Sequence, residues 1–459
     1  MNCARFNRGS NIVQRWLPDS FLFCAFLTFI VFIGAITMTK QSVMGIIIAW
    51  YGGFWSLLAF SMQMALVLVT GYTLALTPVF RKILSGIAGS VSSPKMAIAI
   101  VTMVSTIASF LNWGFGLVIG AILAREVAKK VKGIDYRLLI ASAYSGFLVW
   151  HGGLSGSIPL QLASNPVESL SKQTMGAVTA NIPLSYTIFS PLNLVILIAL
   201  FIVLPIINVA MSPVPEDTVE VDPALLVDPP EVEEKPFSTM TPAEKMENSP
   251  VVSLLLFLMG IAAMIWFFKT KGFGNLGLDI VNFIFLFFGI LLHKTPKKFL
   301  VAFAEATKGA AGVLLQFPFY AGIMGIMTGK DAAGTSLALI LSNFFVNIST
   351  AKTFPMFSFW SAGVVNFFVP SGGGQWVVQA PIVMPGGLEI GTALGKEVEY
   401  LGRSAMAIAW GDAWTNMVQP FWALPALGIA GLGAKDVMGY LVMVLILSGV
   451  VISGAFLIL

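Results

Sequence analysis

The chain has 459 residues, of which 57% are hydrophobic and 10% charged, with a formal net charge of +4. A soluble globular domain carries roughly 25% charged residues, so a soluble enzyme or a nucleic-acid-binding protein is excluded. An all-α polytopic membrane protein is expected, because lipid cannot satisfy an open backbone.

In chain order, the basic stretch MNCARFNRGSNIVQRW precedes an apolar run with no small-residue cleavage site, so residues 1–20 read as a cytoplasmic segment before an uncleaved first helix. The two cysteines, Cys3 in this tail and Cys24 at lipid depth, suggest neither a disulfide nor a metal framework. Stretches near the roughly 20 apolar residues a spanning helix needs lie at 21–39, 54–77, 187–210, 250–268, 311–329 and 437–459, with a shorter one at 276–292. Segments 138–163 and 402–427 are interrupted by polar and glycine-rich residues, and 96–124 and 354–386 each break near the middle. Residues 212–249, SPVPEDTVEVDPALLVDPPEVEEKPFSTMTPAEKMENS, have the acidic, proline-rich composition of a solvated cytoplasmic linker. It separates a first membrane repeat, 21–211, from a unit at 250–459 that comprises an extra helix and a second repeat.

If the two centrally broken segments enter the membrane and return to the same face while all others cross, the chain crosses nine times. With the N-terminus inside, eighteen Lys and Arg residues fall on the inner face and eight on the outer, as the positive-inside rule requires, and the C-terminus ends in the periplasm. The halves resemble each other at a near-constant offset. VLVTG ends at Gly71 and GIMTG at Gly329; NWGFG and PSGGG begin at Asn112 and Pro370; WHGGLSGSIP and WGDAWTNMVQP begin at Trp150 and Trp410. An odd number of crossings separates the repeats and inverts the second. Two inverted-topology repeats, each with a re-entrant helical hairpin and a broken transmembrane helix, are the build of secondary transporters, in which a ligand meets bare backbone at the breaks.

Gly372, Gly373 and Gly374 remove side chains, permit positive φ and let N–H groups face a solute. A half-helix starting near Gln375 adds a positive dipole end suited to an anion. No Lys or Arg stands at a break, so a carboxylate falls to amides, hydroxyls and backbone: Ser371, Gln375 and Gln379, Thr415 and Asn416, and Asn112, Gly114, Ser155 and Ser157 from the first half. That set suits a small, singly charged anion. Asp412 is the one acidic residue expected deep in the membrane, where a charge costs about 2.5–3.5 kcal/mol on insertion scales. It is read as the coupling site, carrying a proton or helping to coordinate sodium, against a structural pairing with a nearby Asn or indole N–H. His151 opens the first break, as a pathway residue or as a histidine bonded within a helix interface; His293 belongs to a positive rim. The aromatic residues at the breaks, Trp113, Trp150, Trp410 and Trp422 among them, read mostly as packing or interface anchors, with one or two walling an acyl group.

Two readings compete. GLSG, residues 153–156, has the G-x-S-G form of intramembrane serine proteases, with Ser155 as nucleophile and His151 as the base available at depth. Glycine-tipped re-entrant loops also form selectivity filters, so a channel or facilitator for small anions is the other alternative. No Walker A motif provides for ATP coupling, and no cofactor is expected beyond a coupling ion, H+ or Na+.

PSGGGQWVVQAP, NWGFGLVIGAILAREVAKKV, FWSLLAFSMQMALVLVTG, LLHKTP, LLQFPFYAGI and NMVQPFWALPALGIAGL together resemble the bacterial short-chain fatty acid transporter family, the acetoacetate-operon permease type. The likeness runs from about Trp16 to the last helix. It implies uptake of short-chain fatty acids such as butyrate or acetoacetate across the bacterial inner membrane. The wider ion-transporter superfamily implies paired re-entrant hairpins and a homodimer with a rigid scaffold and a moving transport domain.

Overall fold

The computed structural model describes residues 20–226, 236–366, 369 and 372–459, and every regular element among them is helical. The first half runs α1 (Ser20–Met38), α2 (Val43–Gly53), α3 (Leu58–Ala75), α4 (Pro78–Gly89), α5 (Pro94–Leu111), α6 (Trp113–Ala128), α7 (Tyr136–Ser145), a 3-10 segment (Gly146–Gly152), α8 (Ser157–Ser164), α9 (Val167–Gln173) and α10 (Pro191–Ala210). After α11 (Pro242–Glu247) and α12 (Pro250–Lys271) come α13 (Leu278–Leu292), α14 (Pro296–Thr307), α15 (Ala311–Thr328), α16 (Leu337–Ile348), α17 (Phe354–Asn366), α18 (Gly372–Leu394), α19 (Glu397–Thr415), a 3-10 turn (Asn416–Val418), α20 (Pro420–Ala430) and α21 (Ala434–Ile458). Seven helical stretches among the described residues are long and apolar enough to cross a membrane, which makes this a multi-pass membrane protein.

Helix starts follow local chemistry. Ser93, Ser190 and Thr295 cap α5, α10 and α14, each accepting a backbone N–H of the first turn, and each is followed by a proline whose missing N–H is no loss there. The predicted spans correspond to helices, and the four interrupted segments to α5–α6, α7–α8, α17–α18 and α19–α20. Search by spanning length passed over α2, α4, α14 and α16, each of 11 or 12 residues and too short to be found that way.

The helix order recurs, and it does so from the first helix. The series α1 to α8 and then α10 is matched by α13 to α20 and then α21, with α1 starting at Ser20 and α13 at Leu278. Packing is exchanged between the halves: α1 and α2 lie on α15, whereas α13 and α14 lie on α3. Within each half the hairpin packs against its own broken helix, α5 and α6 on α7 and the following 3-10 segment, α17 and α18 on α19. The far part of each broken helix crosses over, α8 to α18 and α19, and α20 to α6. The peripheral α12 packs chiefly on α13 and leaves Leu254, Leu255, Leu258, Met259 and Trp266 exposed, a face suited to lipid.

Part of the linker is docked on the membrane unit. Asp135, 3% exposed, caps α7 by accepting Leu138 N–H at 3.0 Å, and its other oxygen accepts from Arg137 at 2.6 Å and from Val219 N–H in the linker at 3.1 Å. Val219 O accepts Tyr136 N–H at 2.9 Å, and Glu220 accepts Gly133 N–H at 2.6 Å. Asp135→Ala removes the cap and the tie together. The expected cost is about 1–2 kcal/mol, read as a lower unfolding midpoint in detergent, with faster proteolytic cutting of residues 212–226.

Candidate functional site

In the first half α5 ends at Leu111, and one extended residue, Asn112, reverses the chain into α6. Its side-chain oxygen accepts Phe115 N–H at 2.9 Å, an N-cap that starts α6 in the protein interior. The next N–H, of Trp113, donates to Ser155 Oγ at 2.9 Å and ties the hairpin tip to the first break. That break is the non-helical Gly153–Gly156 stretch between the 3-10 segment and α8. In the second half α19 ends at Thr415, and the chain turns through Asn416–Val418 and Gln419 into α20.

The two broken helices meet through a fully buried pair. His151 Nδ1 lies 2.9 Å from Asp412 Oδ2, with both side chains inaccessible to solvent. Nε2 accepts Ile158 N–H at 3.2 Å and Ser157 O–H at 2.9 Å. A backbone N–H can only donate, so Nε2 is the unprotonated nitrogen and Nδ1 carries the hydrogen donated to Asp412, an assignment that follows from the partners. Trp150 stacks on the imidazole at 4.1 Å between centroids and 13° between planes. The orienting partner of His151 thus comes from the other half of the chain, 261 residues away.

An amide network fixes the second break. Asn366, at the end of α17, holds its Nδ2, with two hydrogens to share, 2.8–2.9 Å from Asp412 O, Thr415 Oγ1 and Asn416 Oδ1, and its main-chain carbonyl accepts from Gln419 Nε2 at 2.8 Å. Tyr144 O–H donates to Asn416 O at 2.7 Å. Gln375 donates to Ala362 O at 2.7 Å and to Gln379 Oε1 at 2.9 Å, and Gln379 donates to Ser361 at 3.1 Å. Asn193 of α10 links the halves again, donating to Gly152 O and accepting Trp410 Nε1–H, each at 2.9 Å. Asn366, Gln419 and Asn193 were missed by sequence reasoning: the first two stand at the edges of breaks whose central residues drew the attention, and Asn193 lies on the unbroken α10.

The glycine run serves a different purpose from the one expected. Gly372, Gly373 and Gly374 form the first turn of α18, three residues before the start predicted at Gln375, and none has positive φ. They are small because neighbours press on them. A Cβ on Gly372 would overlap His151 Cε1 and stand 2.8 Å from Ser157 Oγ; one on Gly373 would lie 2.6 Å from Phe60; one on Gly374 would overlap the Tyr320 ring. Close approach, rather than backbone freedom, explains the run.

Of the predicted residues, the structure brings Asn112, Ser155, Ser157, His151, Gly372, Asp412, Thr415 and Asn416 to one buried region. Gln375 and Gln379 bond back to α17 or its adjoining turn of α18. Gly114 lies where a Cβ would stand 2.9 Å from the Leu68 carbonyl of α3, a packing position. Ser371 lies outside the described residues. The Asn416 side chain faces the Asp412 carboxylate. Three buried N–H donors of the region, Asn112 Nδ2, Trp113 Nε1 and Trp150 Nε1, have no partner among the described residues, and neither has the acceptor Asn366 Oδ1. Such atoms are rare in folded proteins and call for a ligand, water or proton.

Ser157, His151 and Asp412 are bonded in the order of a hydrolase triad, but order alone does not make a catalyst. A triad also needs a place for the reacting carbonyl about 3 Å from the nucleophile, and Gly372 is packed there. Ser155, the nucleophile the sequence suggested, instead accepts the Trp113 N–H.

The sequence model of short chain fatty acid transporters matches residues 5–459. The chain belongs to the short-chain fatty acid transporter family. It is a transporter and not an enzyme. It is 43% identical over 444 residues, 96% of each chain, to an Escherichia coli (strain K12) protein named "Putative short-chain fatty acid transporter", and 43% identical over 439 residues, 95% of each, to a Haemophilus influenzae protein of the same name. Among solved structures it resembles the Alcanivorax borkumensis YdaH transporter, described as having an unusual topology, with a TM-score of 0.55 over 95% of this chain and 98% of that one. At 14% identity that likeness concerns the fold alone.

Gly372→Ala is expected to push His151 off Ser157 and reduce transport about fivefold or more, since overpacking of this kind typically costs 1–3 kcal/mol. Uptake by cells expressing equal amounts of each protein checks this. A fluorophosphonate probe is expected to leave both Ser155 and Ser157 unlabelled, as read by mass spectrometry.

Proposed function

We propose that this short-chain fatty acid transporter carries small monocarboxylates of the butyrate and acetoacetate kind inward across the bacterial inner membrane, by cation symport with alternating access. One observation carries the reading: three unpartnered, buried N–H donors, of Asn112, Trp113 and Trp150, lie at the first hairpin tip and the first break, with no Lys or Arg among them. Neutral donors match one carboxylate of a substrate without overbinding it, whereas a phosphate or tricarboxylate would call for fixed positive charge. Trp113, Phe147, Trp150 and Trp422 pack together next to the donors, with ring centroids 5.1–6.5 Å apart, a wall suited to a short acyl chain. Substrate binding involves Asn112, Ser155, Ser157 and Asn416, and Asp412 supplies the negative charge that the coupling ion requires.

The recurring helix order and exchanged packing of the two halves support inverted repeats, in which each hairpin moves as one body with its broken helix, and the excess of Lys and Arg on one face supports a cytoplasmic N-terminus. In this reading the helices packed outside them form the scaffold of a homodimer.

Purified protein in proteoliposomes is expected to take up labelled butyrate saturably, with acetoacetate competing and counterflow detectable. A 1:1 proton symport and the leak of undissociated acid reach the same equilibrium, so the saturable rate is the readout. Non-saturable, protein-dependent flux without counterflow would instead identify a channel. Asp412→Asn is expected to depress net uptake much further than exchange; equal loss of both would remove the coupling role.

A further inference from the structure

The carrier reading leaves the coupling ion unnamed, and the surroundings of His151 discriminate between the two candidates. We propose, resting on that reading, that the ion is a proton and that Nε2 of His151 receives it. In the structure Nδ1–H is committed to Asp412, and Nε2 offers its lone pair to Ser157 O–H and Ile158 N–H. A proton arriving at Nε2 forms a new N–H bond and an imidazolium, whose charge the Asp412 carboxylate balances at 2.9 Å. The proton leaves from the same nitrogen on the other side of the membrane, and the lone pair is restored.

The two donors respond differently. The Ser157 hydroxyl can rotate and accept from the new N–H. Ile158 N–H belongs to the first turn of α8, is fixed in direction, and loses its acceptor. Proton uptake therefore breaks the contact between His151 and the start of α8, across the first break. Since α8 packs on α18 and α19 of the other half, the same event loosens the junction between the repeats. Binding the ion and releasing the break become one event.

Sodium fits the same atoms poorly. Asp412 Oδ2 already accepts an N–H, the Asn416 side chain also faces the carboxylate, and Nε2 accepts two donors, so a cation would meet their positive ends. The other titratable group facing the pair is Tyr144 of α7, whose hydroxyl donates to Asn416 O and keeps its proton. α8 and α10 carry no charged residue, and the charges of the remaining packed helices, Lys95 of α5, Arg125 and Glu126 of α6, Arg137 of α7, Glu389 of α18 and those from Glu397 to Arg403 of α19, lie away from the breaks.

Two measurements test this. Proteoliposomes containing a trapped pH dye and given labelled acetoacetate should acidify inside by one proton per saturable uptake event, at a rate unchanged when choline replaces sodium and when a potassium diffusion potential is imposed. His151→Gln, which can bond but cannot be protonated, should lower the ratio of net uptake to exchange by about tenfold or more, the factor one pH unit represents, and flatten the pH profile of uptake.

The chain has 2 histidines, so His293→Gln leaves His151 as the single reporter in 15N-histidine NMR without altering the site. Its ring should pass from the neutral Nδ1–H form to the doubly protonated form across the pH range over which uptake rises with acidification. Saturable uptake that follows sodium without acidification, or a ring that stays neutral across that range in transporting protein, would overturn the proton site while leaving the carrier intact. Absence of saturable uptake and counterflow would overturn the carrier reading and this proposal with it.

Discussion

Everything at the centre of this protein follows from one constraint: a helix that stops inside the membrane leaves N–H and C=O groups that lipid cannot satisfy. The breaks at α5–α6, α7–α8 and α19–α20 are buried in the protein, and each is supplied with partners from elsewhere in the chain. Asn112 caps α6 and its neighbour Trp113 bonds to Ser155; Asn366 gathers Asp412, Thr415 and Asn416; Asn193 takes up Gly152. The breaks are stable because they are mutual.

That mutual support also explains the exchanged packing. If each half satisfied its own broken helix alone, the halves could separate. Instead α8 leans on the second hairpin, α20 on the first, and the His151–Asp412 bond closes the seam. A buried pair of this sort adds little net stability against an apolar replacement, whereas removing one partner costs about 3–5 kcal/mol. Such a pair is retained for what it does, and here it is the sole Asp–His contact between the repeats among the described residues. Burial on both sides also keeps water from short-circuiting a proton held there.

The charge economy of the region points the same way. The chain keeps its Lys and Arg at helix ends and loops, and builds its interior from amides, hydroxyls and indoles around one carboxylate. The aromatic cluster beside them supplies apolar surface of limited size, which favours short acyl chains over long ones.

The sequence by itself determined the membrane class, the long spans, the four interrupted segments and the offset between halves, because apolar run length and Gly or Pro interruptions are local properties. Residues whose position announced them, Asp412 as the lone deep acid and Asn112 and Asn416 at breaks, were legible for the same reason. Only the tertiary structure decided that Asp412 meets His151, 261 residues away, and that Ser157 rather than Ser155 completes the chain of bonds. It also decided that Gly372, Gly373 and Gly374 are small for want of space, and that Asn366 at the end of α17 and Asn193 on the unbroken α10 hold the broken helices. The reason is physical: periodicity and composition report how a segment meets its solvent, whereas the direction of a lone pair and the room beside a Cα depend on which distant segment is packed against it.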